Sequence, residues 1–239
     1  MSPYFRATRT PRYSLLFALP LLVLYEVLAF ALSHSAIAGV RNGADVLLKS
    51  LFVGFGGRTG LVVFGALLLG AGATLIWRDR RSGGALKPRW FLWMSAESLA
   101  YAWVFGFIAG SLTAVFLRAV PHLAVGQFQR LGLSTQLMVS LGAGIYEELL
   151  FRVLLVGGLA WLARSVLGWS PTVAGVLATI IGALVFSAFH YIGPFGDPLR
   201  LPSFVFRTIA GVLFSGLYLL RGFGITAWTH ALYDVMLAL

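Results

Sequence analysis

The chain of 239 residues is 59% hydrophobic and 11% charged, with a net charge of +10 from 18 Lys and Arg against 8 Asp and Glu. Its mean hydropathy of +0.88 exceeds what a soluble globular domain needs, which places the chain among multispanning membrane proteins with little length left for a separate soluble domain. It has no cysteine, which excludes a disulfide framework, a thiolate zinc site and a cysteine nucleophile. The basic residues sit in short loops and form no continuous stripe, so they read as loop charge that fixes orientation in a lipid bilayer and not as a nucleic-acid surface.

At about 20 apolar residues per crossing, the sequence predicts an all-α fold, a polytopic transmembrane helix bundle of about seven spans. Residues 13–32 form the first, preceded by Arg6, Arg9 and Arg12, containing Glu26, and followed by the polar turn Ser33, His34, Ser35. Its length and its Glu26 fit a retained helix better than a cleaved signal peptide. Residues 41–58 mix Asp45 and Lys49 with Val46, Leu47, Leu48, Leu51 and Phe52; they read as an interfacial amphipathic turn, and the span count becomes eight if part of them enters the bilayer. Residues 60–77 form the second span, and the loop after it gathers Arg78, Arg80, Arg81, Lys87 and Arg89 around a single Asp79.

The third span lies within 91–120, with Glu97 read as interfacial and with Arg118, Pro121 and His122 closing it. The fourth, 137–162, contains Glu147, Glu148 and Arg152; the fifth, 173–191, ends near His190; the sixth is 204–220; the seventh, 224–239, carries His230 and Asp234. No internal repeat is visible, and the chain reads as a single membrane-embedded domain over 1–239 with its chemistry concentrated in 137–239. The weight of Lys and Arg at the N-terminus and in the loop around 78–89 predicts that both face the cytoplasm. Arg41, Lys49, Arg58, Arg118 and Arg130 then lie on the opposite side.

An ionisable side chain at the centre of a span costs about 2.5 to 3.5 kcal/mol on insertion scales, so it needs a partner or a role. Glu148 and Arg152 stand at i, i+4 on one helical face and can pair, while Glu147 points elsewhere and keeps its carboxylate for another partner. His230 and Asp234 are again at i, i+4 on one face, and His190 follows Phe186 by four residues. Each set alone has a bland reading as a helix-locking pair. Together they present carboxylates and imidazoles, the groups that move protons near neutral pH, in three successive polar insertions. Water between Glu147 and His190 could be activated there, with His230 and Asp234 positioning a substrate carbonyl and its oxyanion. Two histidines and a carboxylate also suffice for a catalytic zinc ion held by Glu147, His190 and His230, although the zincin spacing of two histidines flanking a Glu is absent. The residues are compatible with either route, one with no cofactor or one with a divalent metal.

The pattern Glu147-Glu148-xxx-Arg152, Phe186-xxx-His190 and His230-xxx-Asp234 resembles the three motifs of the CPBP family, the CAAX proteases and bacteriocin-processing enzymes also called the ABI family. The resemblance covers 137–239 and implies an intramembrane endopeptidase. It makes Glu147 the carboxylate that activates water with His190, gives Glu148, Arg152 and Phe186 supporting roles, and makes His230 and the residue four after it an oxyanion-type site. That last position, commonly Asn, is Asp234 here. An ionised carboxylate cannot donate a hydrogen bond, so Asp234 is expected to orient His230 through its ring N–H while His230 carries most of the oxyanion role. The family has been described both as metal-dependent and as glutamate-dependent.

The sequence reading is therefore a peptidase of the bacterial cytoplasmic membrane, N-terminus inside, that cuts a membrane-anchored protein or peptide, with peptide or sorting-signal processing favoured over prenylated substrates. Two other classes compete with it. A proton-coupled transporter would use buried Glu, Arg and His as relays, but it commonly shows repeated halves. A non-catalytic, immunity-like peptide-binding scaffold would not need Glu147, His190 and His230 all intact.

Overall fold

A computed structural model describes residues 2–33, 40–82, 84–117, 131–193 and 196–239. His34, Ser35, Arg118, Pro121, His122 and Arg130 lie outside the described residues. Among those described, the chain is helical throughout and has no strand. In chain order the helices are α1 (Pro3–Thr8), α2 (Pro11–Ser33), α3 (Gly43–Ser82), α4 (Pro88–Leu117), α5 (Leu133–Gly142), a π-helical segment (Ala143–Val156), α6 (Gly157–Ser165), α7 (Pro171–Phe189), α8 (Leu201–Arg221) and α9 (Phe223–Ala238). Local chemistry sets several starts: Ser2 and Ser170 cap α1 and α7 by accepting from the amides of Phe5 and Val173, each with proline in the first turn. Within α3, Gly57 takes φ 55° and ψ −133°, a conformation open to glycine, and divides the helix into two limbs.

Five helices are long and apolar enough, by length and composition, to cross a membrane: Pro11–Leu32, Gly43–Arg81, Pro88–Leu117, Pro171–Phe189 and Leu201–Arg221. The protein is an integral membrane protein. The other two expected spans are the rod formed by α5, the π-helical segment and α6, which holds three ionisable groups at its centre, and α9, which has 16 residues. These two sit inside the bundle. The π-helical segment buries Tyr146, Glu147, Glu148, Phe151 and Arg152, and α9 packs against α2, α4, α5, α8 and that segment. Large apolar side chains such as Phe30, Val62, Trp103 and Phe107 point outward from the surrounding helices, as a lipid-facing surface requires. Gly144 permits the close crossing of the two inner helices: a Cβ there would lie 2.4 Å from the carbonyl oxygen of Ala227 and 2.8 Å from Ala231 Cβ.

The first limb of α3 differs from the interfacial turn expected of 41–58. Its charged face is turned inward, with Arg41, Asp45 and Lys49 all buried, while Leu47, Leu51 and Phe55 face out. The reason is a carboxylate on the first span: Arg41 Nη2 and Lys49 Nζ each lie 2.9 Å from Glu26, and both also pair with Asp45. Tyr25 and Tyr146 donate to Asp45 and Glu26. Glu97, expected at the interface, is likewise paired: Arg221 grips it through two nitrogens and Tyr4 donates to it at 2.7 Å. Arg221 also donates to Thr8 at 2.9 Å, Arg9 to the carbonyl of Leu219 at 3.0 Å, and the Arg12 amide to Asp79 at 3.1 Å. These bonds gather the N-terminus, the C-terminal end of α3 and the α8–α9 junction at one end of the bundle.

Breaking a buried ion pair by removing one partner costs about 3 to 5 kcal/mol. Arg221→Ala is accordingly expected to lower the thermal stability of the detergent-solubilised protein by an amount in that range. Arg78→Ala, at an exposed position, should leave the stability within about 0.5 kcal/mol of the parent.

Candidate active site

The paired glutamates of the π-helical segment diverge to different neighbours. Glu148 is fully buried and its Oε1 lies 2.6 Å from His230 Nδ1 on α9. Its other oxygen is 3.1 Å from Arg152 Nε, an ion pair by distance whose orientation makes no hydrogen bond. The Arg152 guanidinium instead lies over two rings, 4.4 Å from the centroid of Phe186 and 5.5 Å from that of Phe214. Glu148 thereby joins α9 to the segment, and Arg152 carries the connection on to α7 and α8.

Glu147 turns to the other side. Its Oε1 accepts a 2.8 Å hydrogen bond from Asn42 Nδ2, and its Oε2 has no hydrogen-bond partner among the described residues and lies 3.8 Å from His190 Nε2. His190 caps the C-terminus of α7, where its Nδ1 is 2.8 Å from the carbonyl of Phe186. A carbonyl only accepts, so Nδ1 carries the proton and in the neutral ring Nε2 presents a lone pair towards Glu147. The side chain of His190 is 24% exposed against 9% for Glu147, so access to the cluster comes from the His190 side.

Phe186 holds the two histidines in register. Its ring centroid is 4.8 Å from His190, 6.0 Å from His230 and 5.2 Å from Phe151. His230 is further fixed by stacking on Phe214 at 4.4 Å and 23°. Asp234 Oδ2 stands 3.7 Å from His230 Nε2, so the close bond to the ring, expected from Asp234, is made by Glu148 at the other nitrogen. All seven expected residues, Glu147, Glu148, Arg152, Phe186, His190, His230 and Asp234, thus fall in one cluster. Among the described residues no group of three His, Asp or Glu side chains is gathered so as to hold a metal ion; the ring nitrogens of His230 face Glu148 and Asp234 instead.

Two members of the cluster were not visible in the sequence reading. Phe214 was one apolar residue among many on the sixth span. Asn42 sits in the charged stretch assigned to the interface; the one available signal was its being the only asparagine of the chain.

A membrane bundle with carboxylates and imidazoles converging on a buried site is the architecture of an intramembrane hydrolase or a proton-handling carrier. Residues 129–236, less than half of the chain, match the family model described as Type II CAAX prenyl endopeptidase Rce1-like. The likeness is to a family of peptidases, whose substrates are proteins. No curated protein and no solved structure matches the chain.

Removing the Glu148 carboxylate would strand a buried guanidinium and release His230. Glu148→Ala is expected to cost about 3 to 5 kcal/mol of stability. Because an ion pair replaced by apolar groups of similar volume is often neutral, Glu148→Leu combined with Arg152→Met should recover most of that loss. It should remain inactive, since His230 stays without its anchor. Thermal unfolding and a cleavage assay on the same preparations check both halves.

Proposed function

We propose that the protein is an intramembrane endopeptidase that hydrolyses a peptide bond in a membrane-anchored protein or peptide, with Glu147 and His190 activating the water. The observation that carries this reading is the free oxygen of Glu147 opposite the Nε2 lone pair of His190 at 3.8 Å. A water within hydrogen-bond reach of both atoms is held by two acceptors and exposes its own lone pair to a carbonyl carbon. Glu147 takes a proton from the water as the C–O bond forms. The carbonyl becomes a tetrahedral oxyanion, and the same carboxyl then gives the proton to the departing amine as the C–N bond breaks.

His230 supports the oxyanion. Held between Glu148 and Asp234, its protonated ring donates Nδ1–H to Glu148 and offers Nε2–H to the developing negative charge. Arg152 and Phe186 keep it in place from behind. No step in this sequence passes through a metal, and the reaction closes with water as the only co-reactant. With the basic end of the bundle in the cytoplasm, the site lies towards the opposite side, which suits processing of exported peptides or sorting segments in a bacterial cytoplasmic membrane.

The test is proteolysis by the purified protein in liposomes against a pool of membrane-anchored C-terminal and leader-type peptides. Wild type should cleave, with or without a strong chelator, and Glu147→Gln and His190→Ala should each lose about 10²- to 10⁴-fold in rate. Cleavage that survives Glu147→Gln would overturn the assignment. Cleavage abolished by the chelator in wild type would replace the metal-free route.

A further inference from the structure

The stretch that matches the family model begins at residue 129, yet the hydrogen bond to Glu147 comes from residue 42. We propose that Asn42 is a positioning residue for the peptidase reaction, supplied by the N-terminal half of the chain. In this role it holds one oxygen of Glu147 so that the other faces His190. The inference rests on the proposed role of Glu147.

Three further contacts fix Asn42, one through its side chain and two through its backbone carbonyl and backbone N–H. Its Oδ1 accepts from the amide of Ala44 at 2.9 Å and its backbone carbonyl accepts from Val46 at 3.1 Å, so it is the N-terminal cap of α3. Its own amide donates to the Tyr25 hydroxyl at 3.4 Å. Since Oδ1 is committed to a donor, Nδ2 is the end that meets Glu147, and the orientation of the amide is decided by its surroundings. α5 leaves no slack behind it: a Cβ at Gly142 would lie 2.7 Å from Asn42 Cβ and 2.5 Å from the Tyr25 ring.

The buried charges beside Asn42 anchor this arrangement. Arg41, Asp45 and Lys49 lock the first turns of α3 to Glu26 on α2, and Tyr146, the neighbour of Glu147, donates to the same Glu26. The cap and the carboxylate it touches are therefore tied to one frame. A carboxylate with neither oxygen held would rotate about its last torsion and present its free oxygen to His190 only part of the time. A donor on Oε1 removes that freedom.

Capping and positioning can be separated, because Asp and Ser both cap helices but neither supplies the amide donor. Asn42→Ser should fold and keep its melting temperature close to the parent, whereas Asn42→Asp, which sets a second buried carboxylate against Glu147, should be less stable. Against the best-cleaved peptide of the pool, each should lose about 10- to 100-fold in kcat with KM unchanged. Either variant, folded and within twofold of the parental kcat, overturns the inference, and the Ser variant decides by the same criterion if the Asp variant does not fold.

The asparagine is unique in the chain, so selective ¹⁵N-asparagine labelling yields a single side-chain amide pair and a readout that needs no substrate. Glu147→Ala should shift that pair and speed its hydrogen exchange, whereas Arg164→Ala should leave both unchanged. An amide pair indifferent to Glu147→Ala refutes the bond. Cleavage that survives Glu147→Gln while the amide pair still responds would sink the reading of Glu147 as the base but leave the contact standing.

Discussion

One carboxylate organises the interior of this protein. Glu148, fully buried, faces His230 on α9 with one oxygen and Arg152 with the other, and Arg152 rests on Phe186 of α7 and Phe214 of α8. Four helical elements therefore meet around one buried negative charge. Such a charge is costly unless its partners are held in place, and the attraction at best roughly offsets the desolvation. What it secures is specificity. A purely apolar core would let the helices slide past one another, whereas an ion pair wedged between aromatic rings has one register. His230 inherits that register, because the carboxylate that balances Arg152 also fixes the imidazole.

The bundle is layered to protect this arrangement. The helices that meet lipid are long and apolar. Most of the polar cluster is carried by two others, the π-helical rod and α9, which are either too polar or too short to match them and sit inside, with His190 added from the end of α7. In a bilayer a polar side chain must be satisfied within the protein, and the eight carboxylates of the chain are distributed accordingly. Glu26 and Asp45 share Arg41 and Lys49, Glu97 has Arg221, Asp197 has Arg207, and Asp79 accepts from the Arg12 amide. Glu147 differs from Glu26, Asp45, Glu97 and Asp197, which pair with Lys or Arg: a neutral side-chain amide holds one oxygen and the other has no hydrogen bond among the described residues.

Much of the site was legible because its parts are local. Glu148 with Arg152, and His230 with Asp234, are i, i+4 pairs that any helix places on one face, and three polar insertions in an apolar chain stand out against the cost of burying them. Helical periodicity gives a face but not its direction, so Arg41, Asp45 and Lys49 could be seen to share a face while its inward orientation could not. That depended on Glu26, a side chain on another helix. The same limit hid Asn42 and Phe214, whose partners lie far away in sequence. The π-helical winding of Ala143–Val156 leaves no mark in the composition, though wide turns of this kind recur at functional sites. The span count was harder because the two helices bearing most of the polar cluster are the least typical of membrane spans.

Two adjacent glutamates in a low-dielectric bundle pose a problem of like charge, and the structure separates them by partner. Neighbours in sequence on a helix point in different directions, so Glu148 turns into the core towards a guanidinium and an imidazole, while Glu147 turns towards the side from which His190 is reached. A carboxylate held between two cationic-capable groups is a poor base, because any proton it accepts weakens both pairings. A carboxylate steadied by an uncharged amide keeps its position without having its basicity committed elsewhere. That contrast supports the proposal that Glu147 takes the chemistry and Glu148 the framework.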